Sequence, residues 1–318
     1  MDAASPATAT RFRRPTWFWK LQRLLNVGEE RTLREGTKLA RAWLRKTIDQ
    51  ALKSSVAKKQ QGHDYPATID TDTKKPMRTV IELFLEYGEG LNEDDLVEFI
   101  LTFVFAARDT TADTLSWLFY VVGHRPDVEQ RLRAEMDEKL PPGSNTTYLT
   151  TEHLKDFVYM EAVIKETLRL YPAAPYTLRT CASDTVICGD IFLRKGDMVG
   201  TPMYAMARNP SVWGPDASEF RPERWIDEAT GKIKQVAASK FYTFSAGPRT
   251  CVGMSLAMLE LRVVVANLLQ RYTFTVDPSN DGSYLVAPTL MMKHPLLVRA
   301  ERVAKHNGGA TERHPPAA

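Results

Sequence analysis

Residues 244–253 read Phe-Ser-Ala-Gly-Pro-Arg-Thr-Cys-Val-Gly, and the fold turns on how this stretch is read. Gly247 and Pro248 can close a tight turn, and an apolar run without proline follows from Val252 to Tyr272. Cys251 is therefore expected at the N-terminus of a helix, where backbone N–H groups and the helix dipole stabilise a thiolate. Gly253 has no side chain, so a flat ligand can approach the first turn closely. Arg249 offers a fixed fork of donors for a carboxylate. The competing reading is a helix start with a buried cysteine, which is the usual fate of a lone Cys. Phe244, Gly247, Arg249, Cys251 and Gly253 at these spacings argue for a stabilised thiolate at a helix N-terminus instead.

Working outward, the 318 residues are 43% hydrophobic and 25% charged, enough for a sizeable core. The formal charge of +3 gives no argument for nucleic acid or an acidic substrate. Three cysteines in so long a chain argue against a disulfide framework and for a reducing compartment. Cys181 and Cys188 lack Cys or His neighbours at zinc spacing and read as small core or strand residues. No signal peptide and no bilayer-spanning stretch are legible. The cluster Trp17-Phe18-Trp19-Lys20 reads as a packed aromatic group beside a helix start rather than a membrane contact, for lack of a basic amphipathic repeat around it.

Periodicity and punctuation predict a mainly α fold with small β-sheets late in the chain. Residues 1–15 read as disordered. A helix is expected from Asn26 to about Lys58, then a polar linker from Gln60 to Lys75 and a short helix from Pro76 to Tyr87. Asn92 is placed to cap a long helix running to about Val122, about 45 Å at the standard rise. Its apolar residues go nearly all the way round, which predicts burial. Pro126 opens a helix to Leu140, and Thr151 caps a helical region ending at Pro172. Strands are expected within Val186–Val199, near Tyr284–Met292 and over Pro295–Val303, with a long ordered coil over Pro210–Lys240. The tail from residue 305 reads as flexible.

Two further constellations stand out. Arg108-Asp109-Thr110-Thr111 falls inside the long helix, beside Ala106 and Ala107. A carboxyl and a hydroxyl side by side can hand protons to a bound ligand. Equally, the threonines can bond back to the preceding turn while Asp109 pairs with Arg108 or Arg125. Glu166 and Arg169, at i and i+3, share a helix face, and Arg224 from the downstream coil can close a Glu–Arg–Arg network with them. Breaking such a network is severe even where its net stabilisation is small. Taken alone, the pair reads as a solvated helical ion pair.

These three segments, in this order, resemble the cytochrome P-450 family of haem-thiolate monooxygenases. The Cys251 loop matches the family's F-x-x-G-x-R-x-C-x-G signature. Asp109 and Thr110 fall on its acid–alcohol pair, and Glu166, Arg169 and Arg224 on its structural triad. The text around Asp109, Arg249 and Arg224 is most similar to eukaryotic fatty-acid and alkane hydroxylases. The family usually has Gly at the position of Ala107. The chain also begins later than family members do, so the resemblance implies the C-terminal portion of the fold: a partial haem domain over 16–304, its long central helix over the haem.

The resemblance implies haem b, with Cys251 as axial thiolate pushing electron density that favours O–O cleavage. It implies Asp109 and Thr110 as the proton relay, and Phe244, Gly247, Gly253, Ala106 and Ala107 lining the cofactor. Arg249 and Arg179 are its candidate propionate partners, although an exposed strand arginine is a close second reading of Arg179. An NADPH reductase, or a cytochrome b5-like donor, would supply electrons for insertion of one oxygen atom of O2 into a C–H bond of a lipophilic substrate. Location at the cytosolic face of the endoplasmic reticulum membrane is implied as well. The opposing expectation is a truncated, catalytically inactive haem-domain fragment.

Overall fold

The computed structural model describes residues 8, 10–11, 14–60, 90, 92–140 and 148–303. The expected linker and short helix over residues 61–87, the tail from 305 and most of the first fifteen residues lie outside them. The chain divides into two compact units, one of Met1–Thr110 with Val286–Thr289, the other of Thr111–Leu285 with Leu290–Ala318.

In the first unit, α1 spans Thr16–Leu25. Asn26 takes a left-handed conformation after it, φ 54°, and its N–H, with that of Val27, satisfies the last carbonyls of the helix. Helix α2 spans Gly28–Gln60, with Glu29 and Glu30 in its first turn, where acids suit the dipole. Arg11, within the stretch read as disordered, donates two bonds to Glu30 at 2.6 and 2.7 Å. Helix α3, Glu93–His124, begins in this unit. Asn92 caps it reciprocally: the Asp95 N–H donates to Asn92 Oδ1 at 3.0 Å and the Asn92 N–H to Asp95 Oδ2 at 2.9 Å. Leu44 and Ile48 of α2 pack against Leu96 and Val97 of α3. The expected burial of α3 fails here, with Phe99 and Phe103 42% and 44% exposed. In this unit α2 is the helix packed on α3, and one neighbour covers one stripe.

In the second unit most of α3 is buried or half-buried, with Trp117 and Leu118 at 1% and 0% exposure. Pro126 sits at the first position of α4, Pro126–Lys139. Thr150, not Thr151, caps the 3₁₀ turn Thr151–Leu154, and His153 completes a capping box with it. Helix α5 covers Val158–Leu170. Glu135 of α4 caps α5 from outside, accepting the N–H groups of Tyr159 at 2.6 Å and Met160 at 2.8 Å. Burial pushes the Glu135 carboxyl above its ordinary range, against the pull of those two bonds.

Strands β1 (Thr177–Thr180), β2 (Thr185–Ile187), β3 (Ile191–Leu193) and β4 (Met198–Thr201) follow. They pair antiparallel as β1 with β4 and β2 with β3. Cys188 sits in the β2–β3 turn, exposed and at φ 53°, and Cys181 is half-buried just past β1, so neither is the core or strand residue expected. Two single-turn helices, α6 (Met203–Met206) and α7 (Pro210–Trp213), lead into the coil.

Helix α8 spans Met254–Leu269, shorter at both ends than the apolar run suggested. Its expected last residue, Tyr272, instead opens β5, Tyr272–Val276. Tyr-Thr-Phe-Thr-Val alternates with period two and is rich in β-branched and aromatic residues, a strand signal that the longer helical pattern masked. Strands β6 (Tyr284–Val286), β7 (Leu290–Met292) and β8 (Val298–Arg302) close the chain, β8 pairing antiparallel with β5. The core of this unit gathers Leu118, Leu132, Met160, Val163, Leu261 and Val265, each at 0–1% exposure. Truncating any such leucine to alanine costs about 2–5 kcal/mol.

Two polar clamps hold this core's edges. Arg133 of α4 donates to the carbonyls of Leu269 at 2.6 Å and Tyr272 at 2.8 Å, joining α4 to the α8–β5 junction. The Asn267 amide pairs with the backbone of Leu149 like a neighbouring strand, accepting its N–H at 2.9 Å and donating to its carbonyl at 3.0 Å.

Candidate functional site

Cys251 lies in the loop that enters α8. Gly253 is the N-cap and Met254 the first helical residue, so the thiol sits just ahead of the helix rather than in its first turn, as expected from sequence. The loop is bent by two left-handed residues, Ser245 at φ 63° and Gly247 at φ 61°. Glycine adopts that region without penalty, while serine there stores strain of the kind that collects at functional sites. The Cys251 N–H donates to the Phe244 carbonyl at 2.8 Å, and Thr250 Oγ1 to the Gly247 carbonyl at 2.8 Å. The Met254 N–H reaches back to the Cys251 carbonyl at 3.3 Å. Thr243 Oγ1 ties the loop to α5 through the Leu168 carbonyl at 3.2 Å. Cys251 is a free, exposed thiol, and Arg249 beside it is exposed.

Behind this loop the Glu166 carboxylate is fully buried and accepts five hydrogen bonds. Oε1 takes Arg169 Nη2, Arg224 Nε and the Arg221 N–H, each at 2.8 Å. Oε2 takes Arg169 Nε at 2.8 Å and Trp225 Nε1 at 2.9 Å. Arg169 uses all five of its donors, the other three going to the carbonyls of Ala207, Ala217 and Glu219. A buried ion pair is tolerable when its remaining hydrogen-bonding groups are met in this way. The solvated-pair reading of Glu166 and Arg169 therefore fails, because both side chains are at 0% exposure.

Asp216 extends the network, with Arg224 Nη2 at 3.3 Å and Arg221 Nη1 at 2.6 Å. Desolvation pushes the Asp216 carboxyl upward, but Arg224 and Arg221 outweigh it and hold it below its ordinary range. Trp225 packs edge-on against Phe241, 4.8 Å between centroids, and tilted against Trp213 at 5.4 Å. Sequence reasoning missed Asp216, Trp225 and Thr243. Trp225 had a signal, since it adjoins Arg224 in Pro-Glu-Arg-Trp, whereas nothing local marks Asp216 or Thr243.

Asp109 and Thr110 lie at the end of the first unit. Thr110 Oγ1 donates to the Ala106 carbonyl at 2.6 Å, and Asp109 pairs with Arg108 at 3.1 Å. Both side chains are half-buried, while Ala106, Ala107 and Arg108 are exposed. The back-bonded hydroxyl and the paired acid are thus both present. Arg179 is exposed on β1 opposite Val199, donating to its neighbour's carbonyl at 2.8 Å.

The chain thus combines a mainly helical fold with small sheets, a bent loop presenting a free thiol ahead of a helix, and a buried carboxylate clasping two arginines. The chain belongs to the cytochrome P450 family, whose family model, described as Cytochrome P450, matches residues 31–299. Cytochrome P450 86B1 of Arabidopsis thaliana is 31% identical over 93% of this chain and 53% of its own length. Alkane hydroxylase MAH1 of Arabidopsis thaliana is 28% identical, over 93% and 57%. Noroxomaritidine synthase 1 of Narcissus pseudonarcissus is 29% identical, over 95% and 57%. The chain spans about half the length of the curated relatives it matches. Among solved structures, a cytochrome P450 designated CYP102L1 shares the fold with TM-score 0.69 and 24% identity, over 89% of this chain and 60% of that one.

Membership implies a haem whose iron takes a cysteine thiolate, and the residues fit one. Among the described residues no three His, Cys, Asp or Glu side chains gather to chelate a metal by themselves. A Cβ built on Gly253 meets only Cys251 Sγ, at 3.9 Å, so the face beside the thiol is open to a flat group. Val252, next to Cys251 in the chain, exposes 89% of its surface.

Proposed function

We propose that this chain is the thiolate-bearing part of a haem-dependent monooxygenase that inserts one oxygen atom of O2 into a C–H bond of a lipophilic substrate of the fatty-acid or alkane type. The observation that carries the reading is the free thiol of Cys251, held in a loop pinned to the buried Glu166 network through Thr243 and α5. The alkane hydroxylase among the relatives supports the substrate class.

Haem supplies the oxygen-activating redox chemistry, and the chain's residues set its surroundings. Cys251 Sγ would be the ligand atom, on a residue whose carbonyl accepts the N–H of Met254. Arg249 would hold a propionate, as a planar fork suits a carboxylate, and Arg179 is the second candidate for that role. Phe244, Gly247 and Gly253 of the Cys251 loop, and Ala106 and Ala107 of the long helix, are the residues that would line the cofactor. Asp109 and Thr110 move protons, the acid exchanging with solvent beside Arg108 and the hydroxyl relaying. Glu166, Arg169 and Arg224 hold the coil that leads to the loop. A reductase fed by NADPH, or a cytochrome b5-like donor, supplies single electrons.

The working location is read as the cytosolic face of the endoplasmic reticulum membrane. Among the described residues no helix is long and apolar enough to cross a membrane. The test is turnover with a long-chain fatty acid and an alkane, in the presence of a reductase and isotopically labelled O2. One labelled oxygen per hydroxylated product is expected. Product without label, or no product from a haem-loaded chain, contradicts the reading.

A further inference from the structure

Strand β8 has one edge paired and one edge open. Its only strand partner among the described residues is β5, in a register running from Tyr272 opposite Arg302 to Val276 opposite Val298. The Asp277 N–H donates to the Leu297 carbonyl at 2.9 Å, and the Val303 N–H to the Arg271 carbonyl at 2.9 Å. Odd-numbered residues of this stretch therefore turn their N–H and C=O groups to β5. The alternation of an antiparallel ladder turns those of Val298, Ala300 and Arg302 the other way, along the open edge. All five residues of β8 are exposed. Proteins blunt such edges with proline, bulges or charges that keep other chains away. β8 has no proline and pairs with β5 without a bulge. It does carry charges, and their order decides what they do.

Residues 297–303 read Leu-Val-Arg-Ala-Glu-Arg-Val. Laid antiparallel against itself about Ala300, this segment matches itself. Arg299 falls opposite Glu301 of the second copy, and Leu297 opposite Val303 of the second copy. These odd residues share one face of the strand. Arg299 and Glu301 already pair along it at 3.0 Å, with side chains 79% and 61% exposed. Leu297 and Val303 are 55% and 39% exposed. Opposite charges and apolar side chains directly across a ladder stabilise it, and like charges oppose it. Ala300 meets only itself, so no bulky side chain crowds the axis. Centring on Val298 instead sets Arg299 against Leu297, and centring on Arg302 sets Glu301 against Val303. Of the three edge-facing residues, Ala300 alone gives matched pairs. Self-complementarity about a two-fold axis is what an interface between identical copies requires.

We propose that two copies of the chain pair β8 to β8 about Ala300, joining their β5–β8 ladders into one four-stranded antiparallel sheet. The contact is independent of the haem chemistry, so either can fail alone.

The test is sedimentation of the full chain, with haem added, over a range of concentrations, together with amide hydrogen exchange. A monomer–dimer equilibrium is expected. Glu301→Arg sets arginine against arginine and is expected to raise the dimer dissociation constant about tenfold or more, with unchanged circular dichroism. Arg299→Glu/Glu301→Arg exchanges the two charges and is expected to return the constant to within about threefold of its original value. The Ala300 amide is expected to lose protection on dilution, while that of Val303, bonded to Arg271, keeps it. A chain that stays monomeric at every concentration overturns the proposal. So does a dimer that Glu301→Arg leaves intact or that the charge exchange fails to restore. Protection at Ala300 that persists in the monomer also overturns it, by assigning the edge to another segment of the same chain.

Discussion

Arg224 Nε donates to Glu166 Oε1 at 2.8 Å across 58 residues of chain. That bond joins the coil after α7 to a carboxylate fixed in the middle of α5. The same carboxylate holds Arg169 from its own helix and Trp225 from the coil. The route by which the Cys251 loop is positioned therefore begins at a fully buried charge.

Replacing Glu166 with alanine strands two guanidinium groups, one fully buried and one nearly so. The expected loss is about 3–5 kcal/mol, seen as a lowered urea midpoint or as little folded protein. A midpoint unchanged by Glu166→Ala contradicts a structural role for the network.

Tyr159 gives a pH signature. Burial pushes its phenol up to about 12, despite the opposing Arg131 guanidinium, whose carbon stacks 4.2 Å from the ring centroid. In the unfolded chain the phenol ionises near its ordinary 10.0. Its contribution is fully present below about pH 10, where both states are neutral, and is lost as pH rises toward about 12, where only the unfolded state ionises freely. Tyr159→Phe is expected to flatten the decline of unfolding free energy across that window. An identical decline in the variant contradicts this.

Asn267→Ala removes both amide bonds to Leu149 and leaves that backbone unpaired among buried residues. A loss of about 1–3 kcal/mol is expected. Amide exchange at Leu149 should accelerate before exchange in α5 does, and unchanged protection there would count against the clamp.

Thr110→Ala deletes a hydroxyl whose bond to the Ala106 carbonyl is supplementary to the helix's own. Folding and haem binding are expected to stay within about 0.5 kcal/mol. Product per electron consumed is expected to fall several-fold, with peroxide rising in its place. Unaltered coupling would remove Thr110 from the proton relay.

The helical framework was legible where the chain is punctuated: Asn92, Pro126 and the end of α5 before Pro172 all lie at or within two residues of observed boundaries. β5 was hidden because its alternation follows directly on an apolar helix with no Gly or Pro between them. The partners of Glu166 were legible as far as Arg169 and Arg224 through the family resemblance, whereas i, i+3 spacing alone pointed to a solvated pair. Asp216 and Thr243 were not, because their contacts depend on how the coil folds back. The exposure of Phe99 and Phe103 was also out of reach, since a sequence declares an apolar face but not which element covers it.

The central claim is that Cys251 is the thiolate ligand of haem iron. Its most direct test is the absorption spectrum of the reduced, haem-loaded chain under carbon monoxide, with and without Cys251→Ser. The account predicts the red-shifted Soret band of thiolate ligation in the unaltered chain and its loss in the variant. The same red-shifted band in Cys251→Ser would contradict it.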